Sequence, residues 1–378
     1  MTHIKKISKS KNNLSRALEV SLKSRKITTP FFMPDATRAS VRGITNSRLD
    51  ETGIRAMVVN TYHLFLQPKM DLIKKAGGVH KFMNWKKPLL SDSGGYQVYS
   101  LIHKNPKLGK ITEDGAVFRS VIDGSKHLLT PELAIEVQFD LGVDMMVVLD
   151  DPRPNNIEKK IMDESVERTV RWAKRCKIEF EKQIEKRNIL EEKRPLLFGV
   201  VQGGLHTDLR EKCANGLKEI GFDGYGFGGR HLDEDDVFLE QIIKDTANYI
   251  PDDALKFALG IGTPQDIARC FAAGWDMFDC VIPTREGRHS RIFKWKDKGV
   301  IFENDSKDFY ETVNISNSRF KEAFSPIDEN CDCYACANHT NTYIHHLFRA
   351  KEPLGAQLVT IHNLRFYMEL MEELGKSV

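Results

Sequence analysis

A (β/α)8 barrel, followed by a small cysteine-bearing segment, is the fold class that this 378-residue sequence predicts. Three observations carry it. Eight short apolar or β-branched runs recur between residues 28 and 284, each ending in small or polar residues. Amphipathic stretches at helical spacing lie between most of them. After the eighth run the chain changes character and gathers cysteine, asparagine and aspartate. Strands of buried type alternating with helices are the pattern of a parallel barrel; an open doubly wound sheet is the alternative.

In chain order the runs are TTPFFMPDAT (28–37), RAMVVNTYHL (55–64), PLLSDSGG (88–95), DMMVVLDD (144–151), PLLFGVVQGG (195–204), DGYGFGG (223–229), LKFALGIGT (255–263) and WDMFDCVIPT (275–284). Each is short and near-continuously apolar, as strands covered on both faces are. The clearest helical stretch is 155–190, where Ile157, Ile161, Val166, Val170, Trp172 and Ala173 are interleaved with Lys, Arg and Glu. The division expected is a catalytic barrel with an N-terminal extension over 1–298, a metal-binding segment over 299–363, and a C-terminal helix over 364–378 that closes the barrel. The stretch IHNLRFYMELMEELGK is itself amphipathic and helical. In such barrels chemistry sits at the C-terminal ends of the strands. Those ends carry Asn60, Asp92, Asp150, Gln202, Gly228, Gly229 and Asp279.

Within the segment after strand eight stand Cys331, Cys333 and Cys336, with His362 following after 25 intervening residues. Three thiols in so short a span can converge on one ion, and one imidazole completes the tetrahedral set that structural Zn²⁺ prefers. The alternative is a group of buried or disulfide-forming cysteines. His339, His345 and His346 are also within reach as the fourth ligand.

Seven cysteines, three of them in this cluster, leave Cys176, Cys213, Cys270 and Cys280 scattered, which argues against a disulfide framework and for a reducing compartment. The basic N-terminus has no apolar core, and no apolar run approaches membrane-spanning length, so a cytoplasmic protein without a membrane partner is expected. The net charge of +3 decides nothing about a polyanionic partner. Local charge says more: residues 285–298, REGRHSRIFKWKDK, hold six Lys/Arg against two acids, with Phe293 and Trp295 interleaved. That run follows Asp279 and suits the phosphates of a nucleic acid, although a solvated basic face gives the same pattern.

Asp92 and Asp279 are the carboxylates that stand out. On one barrel mouth they could flank a glycosidic bond as acid/base and nucleophile, and retain configuration through a covalent intermediate. A helix cap for Asp92 and a loop hydrogen bond for Asp279 are the structural alternatives. Asp150 and Asp151 close the fourth run, where capping is a common fate. Gln202 suits the reading of a base edge, or a loop. Gly228 and Gly229 would let a flat ligand approach the backbone, or make a tight turn. Tyr96 offers a ring to stack on a planar base, although packing is the commoner fate of a tyrosine at such a position. GIGTP (260–264) lacks the spacing and lysine of a phosphate loop.

With these residues assembled, the chain resembles the tRNA-guanine transglycosylase (queuine tRNA-ribosyltransferase) family from about residue 28 to the C-terminus. The motifs are NTYHL, KFMNW, DSGGYQV, FRSVIDGS, VQGG, DMFDCVIPTR, the C-x-C-x2-C cluster and the late IHN. The resemblance implies a zinc-containing (β/α)8 barrel that exchanges guanine at the tRNA wobble position for a 7-deazaguanine base, either queuine or the 7-aminomethyl base. It implies Asp279 as nucleophile and Asp92 as general acid/base. Ser93, Asp150, Gln202, Gly228 and Gly229 would bind the base, with Tyr96 and Leu259 on its two faces. Thr284, Arg285 and Arg288 would contact tRNA, and Cys331, Cys333, Cys336 and His362 would hold one structural Zn²⁺. It further implies a homodimer. Two departures touch the base pocket: Asp151-Pro152 where the bacterial pattern has an acid and then Cys, and Arg230 where Leu is usual. Arg230 would repel a cationic amine if it pointed inward, and the 150–152 stretch leans toward queuine. A non-catalytic tRNA-binding subunit and a DNA-acting relative are the competing readings, and the presence of both aspartates opposes the first.

Overall fold

The structure, a computed structural model, describes residues 3–302 and 309–378, so residues 303–308 of the segment expected at 299–363 lie outside the described residues. Each of the eight apolar runs contains one strand: β1 (Phe31–Pro34), β2 (Met57–Asn60), β3 (Leu89–Asp92), β4 (Met145–Val147), β5 (Leu196–Val201), β6 (Gly224–Phe227), β7 (Leu255–Ala258) and β8 (Met277–Cys280). They pair in parallel in the order β1-β8-β7-β6-β5-β4-β3-β2. A parallel bridge from Asp35 to Val58 crosses the remaining seam, where the Ala36 N–H donates to the Val58 carbonyl at 2.7 Å. The sheet is therefore a nearly closed barrel, and the open-sheet alternative falls.

The helix expected within 155–190 runs over Lys159–Lys186. It starts late because Pro152 and Pro154 hold the preceding backbone extended. Its buried side is Met162, Val166, Thr169, Trp172, Ala173, Cys176 and Phe180, the spacing of one helical face. The last helix, Pro353–Lys376, begins well ahead of Ile361, with Pro353 in its first turn. It is buried on nearly all sides, so little amphipathic signal marks its start. It lies against β1 and the helix Ile282–Arg288 that follows β8. Among the described residues, no helix is long and apolar enough to cross a membrane.

An antiparallel sheet of Ile4–Lys9, Arg16–Ser21 and Lys26–Thr28 covers the N-terminal end of the barrel. At that end one arrangement occurs on three alternate strands. Asp144, Asp223 and Asp276 stand just before β4, β6 and β8. Each carboxylate accepts the backbone N–H of a residue in the preceding strand: Leu89 at 2.9 Å, Leu197 at 2.8 Å and Lys256 at 2.7 Å. Each also has a basic neighbour: His80 at 3.0 Å from Asp144, Arg194 at 2.7 Å from Asp223, and Arg16 at 2.8 and 2.7 Å from Asp276. Burial alone would raise the Asp144 carboxyl, but hydrogen bonds from His80 and Ser24 hold it below its usual range. Arg16 donates further to the carbonyls of Asp252 and Ala254, so one guanidinium ties the N-terminal sheet to β8 and the entry to β7.

Arg16→Ala would leave the buried Asp276 carboxylate without its ion-pair partner. We expect a loss of about 3–5 kcal/mol of folding stability, measured as a shift of the urea midpoint at unchanged m-value.

Candidate active site

The opposite, C-terminal end of the barrel opens into a cavity of about 1010 Å³. Asp92, Ser93, Tyr96, Asp150, Gln202, Gly228, Gly229, Leu259 and Asp279 all line it. Residues far apart in the chain meet there because each ends a barrel strand or lies in the loop after it, apart from Tyr96, which stands in the first turn of the helix that follows β3.

Asp92 ends β3 and accepts four hydrogen bonds from neutral donors. The Asn60 amide donates at 2.5 Å and the Gln97 amide at 3.1 Å to Oδ2. The Thr61 and Gly94 N–H groups donate at 3.1 and 3.2 Å to Oδ1. The carboxylate thus meets the first N–H of the helix Thr61–Leu66 and that of Gly94, the N-cap residue of the helix Gly95–Lys104, but it does not cap the latter's first turn, and it still lines the cavity. Burial pushes its pKa up to about 7, and the charges of Asp279 and Asp35 add to the rise. Asp279, in β8, takes one hydrogen bond, from the Gly260 N–H at 2.8 Å. Burial again pushes it up to about 7, with Asp35 contributing. Gly260 belongs to GIGTP. Rather than holding a phosphate, that loop places its first N–H on Asp279, while Thr263 caps the helix Pro264–Ala272.

Asp150 follows β4 and accepts the Gln202 amide at 2.7 Å. Burial raises its carboxyl to about 6, and the neighbouring Asp151 pushes the same way. Gln202 is 1% exposed, and its Oε1 has no partner. Together the two side chains offer a planar ligand an acid edge and an amide edge. Gly228 must lack a side chain, since a Cβ there would stand 2.5 Å from the Gln202 amide nitrogen. Gly229 has φ +94°, outside the range of ordinary residues. Ser93 is buried, its hydroxyl accepting the Gly95 N–H at 3.2 Å. Tyr96 is 65% exposed on one wall, and Leu259 lines the cavity as well.

The basic run is divided by the fold. Phe293 is buried, and Trp295 stacks on Phe366 at 4.5 Å, so neither ring is free to meet a base. Arg285 is exposed. Arg288 is half-buried, and burial together with repulsion from Arg42 lowers its pKa. Thr284 is 2% exposed, with its hydroxyl donating to the Val281 carbonyl at 3.0 Å. Arg230 turns back along its own loop, pairing with the Asp236 carboxylate and donating to the Asp233 carbonyl at 2.6 Å. Its head is therefore held by acceptors of its own loop, although the residue still lines the cavity.

Cys331, Cys333, Cys336 and His362 form one cluster, with the three sulfurs 3.6, 3.8 and 3.3 Å from the His362 Nδ1. Those separations suit four ligands around a shared ion at about 2.0–2.3 Å each. The His362 Nε2 lies 2.8 Å from the Phe293 carbonyl and donates to it, which leaves Nδ1 as the ligand atom. The rival histidines His339, His345 and His346 lie outside this cluster among the described residues; His345 bonds the Ile315 carbonyl and His339 stacks on Tyr343.

Sequence reasoning gave no role to Gln97, Gly260, Asp35 or Arg210. Arg210 is fully buried in the helix Thr207–Ile220 and donates to the carbonyls of Val201, Gly204 and Gly228. It thereby fixes the loops that carry Gln202 and Gly228. Burial drives its pKa down to about 9. Nothing in an amphipathic helix distinguishes such an arginine from a solvated one. Gln97 had one signal, its place two residues after the GG of DSGG, in the first turn of the helix that follows Asp92.

A family model described as queuine tRNA-ribosyltransferase matches residues 11–378. The queuine tRNA-ribosyltransferase of Caldanaerobacter subterraneus is 43% identical over 352 residues, covering 93% of this chain and 87% of the relative. That of Desulforamulus reducens is 40% identical over 370 residues, 98% of this chain and 92% of the relative. That of Francisella tularensis subsp. novicida is 40% identical over 368 residues, 97% and 93% respectively. The chain belongs to the queuine tRNA-ribosyltransferase family of pentosyltransferases.

Proposed function

We propose that this enzyme exchanges guanine at the wobble position of a tRNA anticodon for a 7-deazaguanine base by double displacement. The observation that carries the reading is the pair Asp92 and Asp279 in one cavity, both shifted to about 7, beside the base-sized edge formed by Asp150 and Gln202. Asp279 has one of its oxygens engaged by Gly260 and attacks ribose C1′ as a carboxylate. The C1′–N9 bond breaks, a C1′–O ester bond forms, and Asp92 gives its proton to the departing guanine. The incoming base then returns a proton to Asp92 as its N9 attacks C1′, and the Asp279 carboxylate leaves. A group that must donate and then accept works best with a pKa near the working pH, as Asp92 has. No phosphoryl or redox input is needed, because one N-glycosidic bond replaces another.

Beyond the base edge the cavity continues between Pro152–Asn156 and the loop 230–235, where Asp233, Glu234 and Asp235 are among the lining residues. Arg153 there is engaged by Asp151 at 3.0 Å, and Arg230 by its own loop. An acidic extension of this size supports a base whose 7-substituent carries a cationic amine, queuine included. The Cys3His cluster we assign to Zn²⁺, on its sulfur-rich, four-ligand set with no position left for water.

Three outcomes are expected. Asp279→Ala abolishes incorporation of labelled guanine into tRNA, by more than about a thousand-fold, while tRNA binding in a gel-shift assay survives. Undiminished incorporation would overturn the mechanism. Asp92 and Asp279 bind more protons folded than unfolded between about pH 4 and 7, so their contribution to stability falls as pH rises through that window. Asp279→Asn, which keeps an acceptor for the Gly260 N–H, should therefore melt above the wild type at pH 8, with the difference closing toward pH 4, as read by calorimetry. Chelation should lower the melting temperature, and turnover should be lost only as the protein unfolds. A folded, chelated enzyme with no turnover would make the metal catalytic.

A further inference from the structure

The helix Gly95–Lys104 leaves the barrel just after Asp92, and Tyr96, Tyr99 and His103 fall on one of its faces at i, i+3 and i+7. Their rings form a ladder. Tyr96 and Tyr99 have centroids 6.4 Å apart at 42°, and Tyr99 and His103 are stacked at 5.7 Å and 20°. Tyr96 and Tyr99 line the cavity, and His103 stands exposed beyond it. The fold does not require this row, because Val98, Leu101 and Ile102 pack the helix onto the core. Lys104, Lys107 and Lys110 lie exposed around the outer end of the helix, and none of them takes part in an ion pair among the described residues.

A nucleotide that reaches recessed carboxylates must leave its stack, which exposes the base beside it. We infer that Tyr99 and His103 form a stacking platform for the unpaired base flanking the exchanged nucleotide, with the lysines meeting the adjoining phosphates. The inference rests on the RNA-exchange reading above. Aromatic stacking accepts any base, so the platform adds affinity without reading sequence. Lysines placed just past the last ring give the backbone a counter-charge where it leaves the protein.

The test uses guanine exchange into an anticodon stem-loop RNA, intact or with an abasic site on the 5′ or the 3′ side of the exchanged nucleotide. In the wild type, one of the two abasic RNAs should raise KM roughly ten-fold. Tyr99→Ala and His103→Ala should show that rise with intact RNA and little more with the abasic one, whereas Tyr99→Phe keeps the wild-type pattern. His103 is exposed, so its variant folds even if the Tyr99 variant does not. A 2-aminopurine at the flanking position should be quenched on binding the wild type and not His103→Ala. If both abasic sites cost the variants as much as the wild type, or cost the wild type nothing, the platform is overturned. A wild type unable to exchange guanine into the intact stem-loop would instead overturn the RNA-exchange reading itself.

Discussion

Which of its carboxylates the barrel supplies with a cation, and which it leaves with neutral donors only, is the constraint on which the rest of the structure turns. Asp276 and Asp279 lie three positions apart on one strand. The first is fully buried and clamped by Arg16 at the N-terminal end, where the guanidinium opposes the upward push of burial on its pKa without cancelling it. The second faces the cavity with a single N–H for a partner and is raised to about 7. Asp144 and Asp150 repeat the contrast across β4: one is held down by His80 and Ser24, the other is pushed up to about 6. A carboxylate clamped by a cation and backbone N–H groups serves folding, since removing its partner would strand a buried charge. One that is desolvated and unmatched sits near its protonation midpoint at neutral pH and serves chemistry. The two ends of the barrel are therefore chemically different, although both are rich in aspartate.

Much of this was legible in the sequence, for a physical reason. Parallel strands covered on both faces must be continuous apolar runs, so all eight could be read, and barrel closure then forces their polar C-terminal residues together. Asp92, Asp279, Asp150 and Gln202 were found that way. The cysteine spacing likewise carried its own geometry. What escaped depends on side-chain direction. Phe293 and Trp295 are interleaved in a basic run that suits a nucleic acid, yet strand alternation and the final helix turn them toward the core. Arg230 read as a threat to the pocket because its carboxylate partner, Asp236, comes six residues later in a loop without periodicity. Arg210 left no trace at all. Its role consists of reaching carbonyls that only the folded loops bring together.

The Cys3His cluster stands apart from the cavity, yet the position of Asp279 depends on the helix it anchors. A carboxylate with one hydrogen bond among the described residues is placed chiefly by its backbone and by the loop that supplies the donor. Both are held by the helix Pro353–Lys376. The Tyr367 hydroxyl donates to the Gly262 carbonyl at 2.6 Å, fixing the loop that bears Gly260. The Asn363 amide donates to the carbonyls of Pro283 and Arg291 at 3.1 and 2.9 Å, and its oxygen accepts the Phe293 N–H at 3.1 Å. These bonds fix the chain that leaves β8. Gly287 admits the close approach of Thr360, where a Cβ would come within 2.6 Å of its hydroxyl. His362 precedes Asn363 directly, so fixing the imidazole sets the rotation of the helix that delivers both Asn363 and Tyr367. The cluster thus bears on Asp279 through position alone, along a path of named hydrogen bonds. A closed four-ligand site is suited to that task and an open one is not.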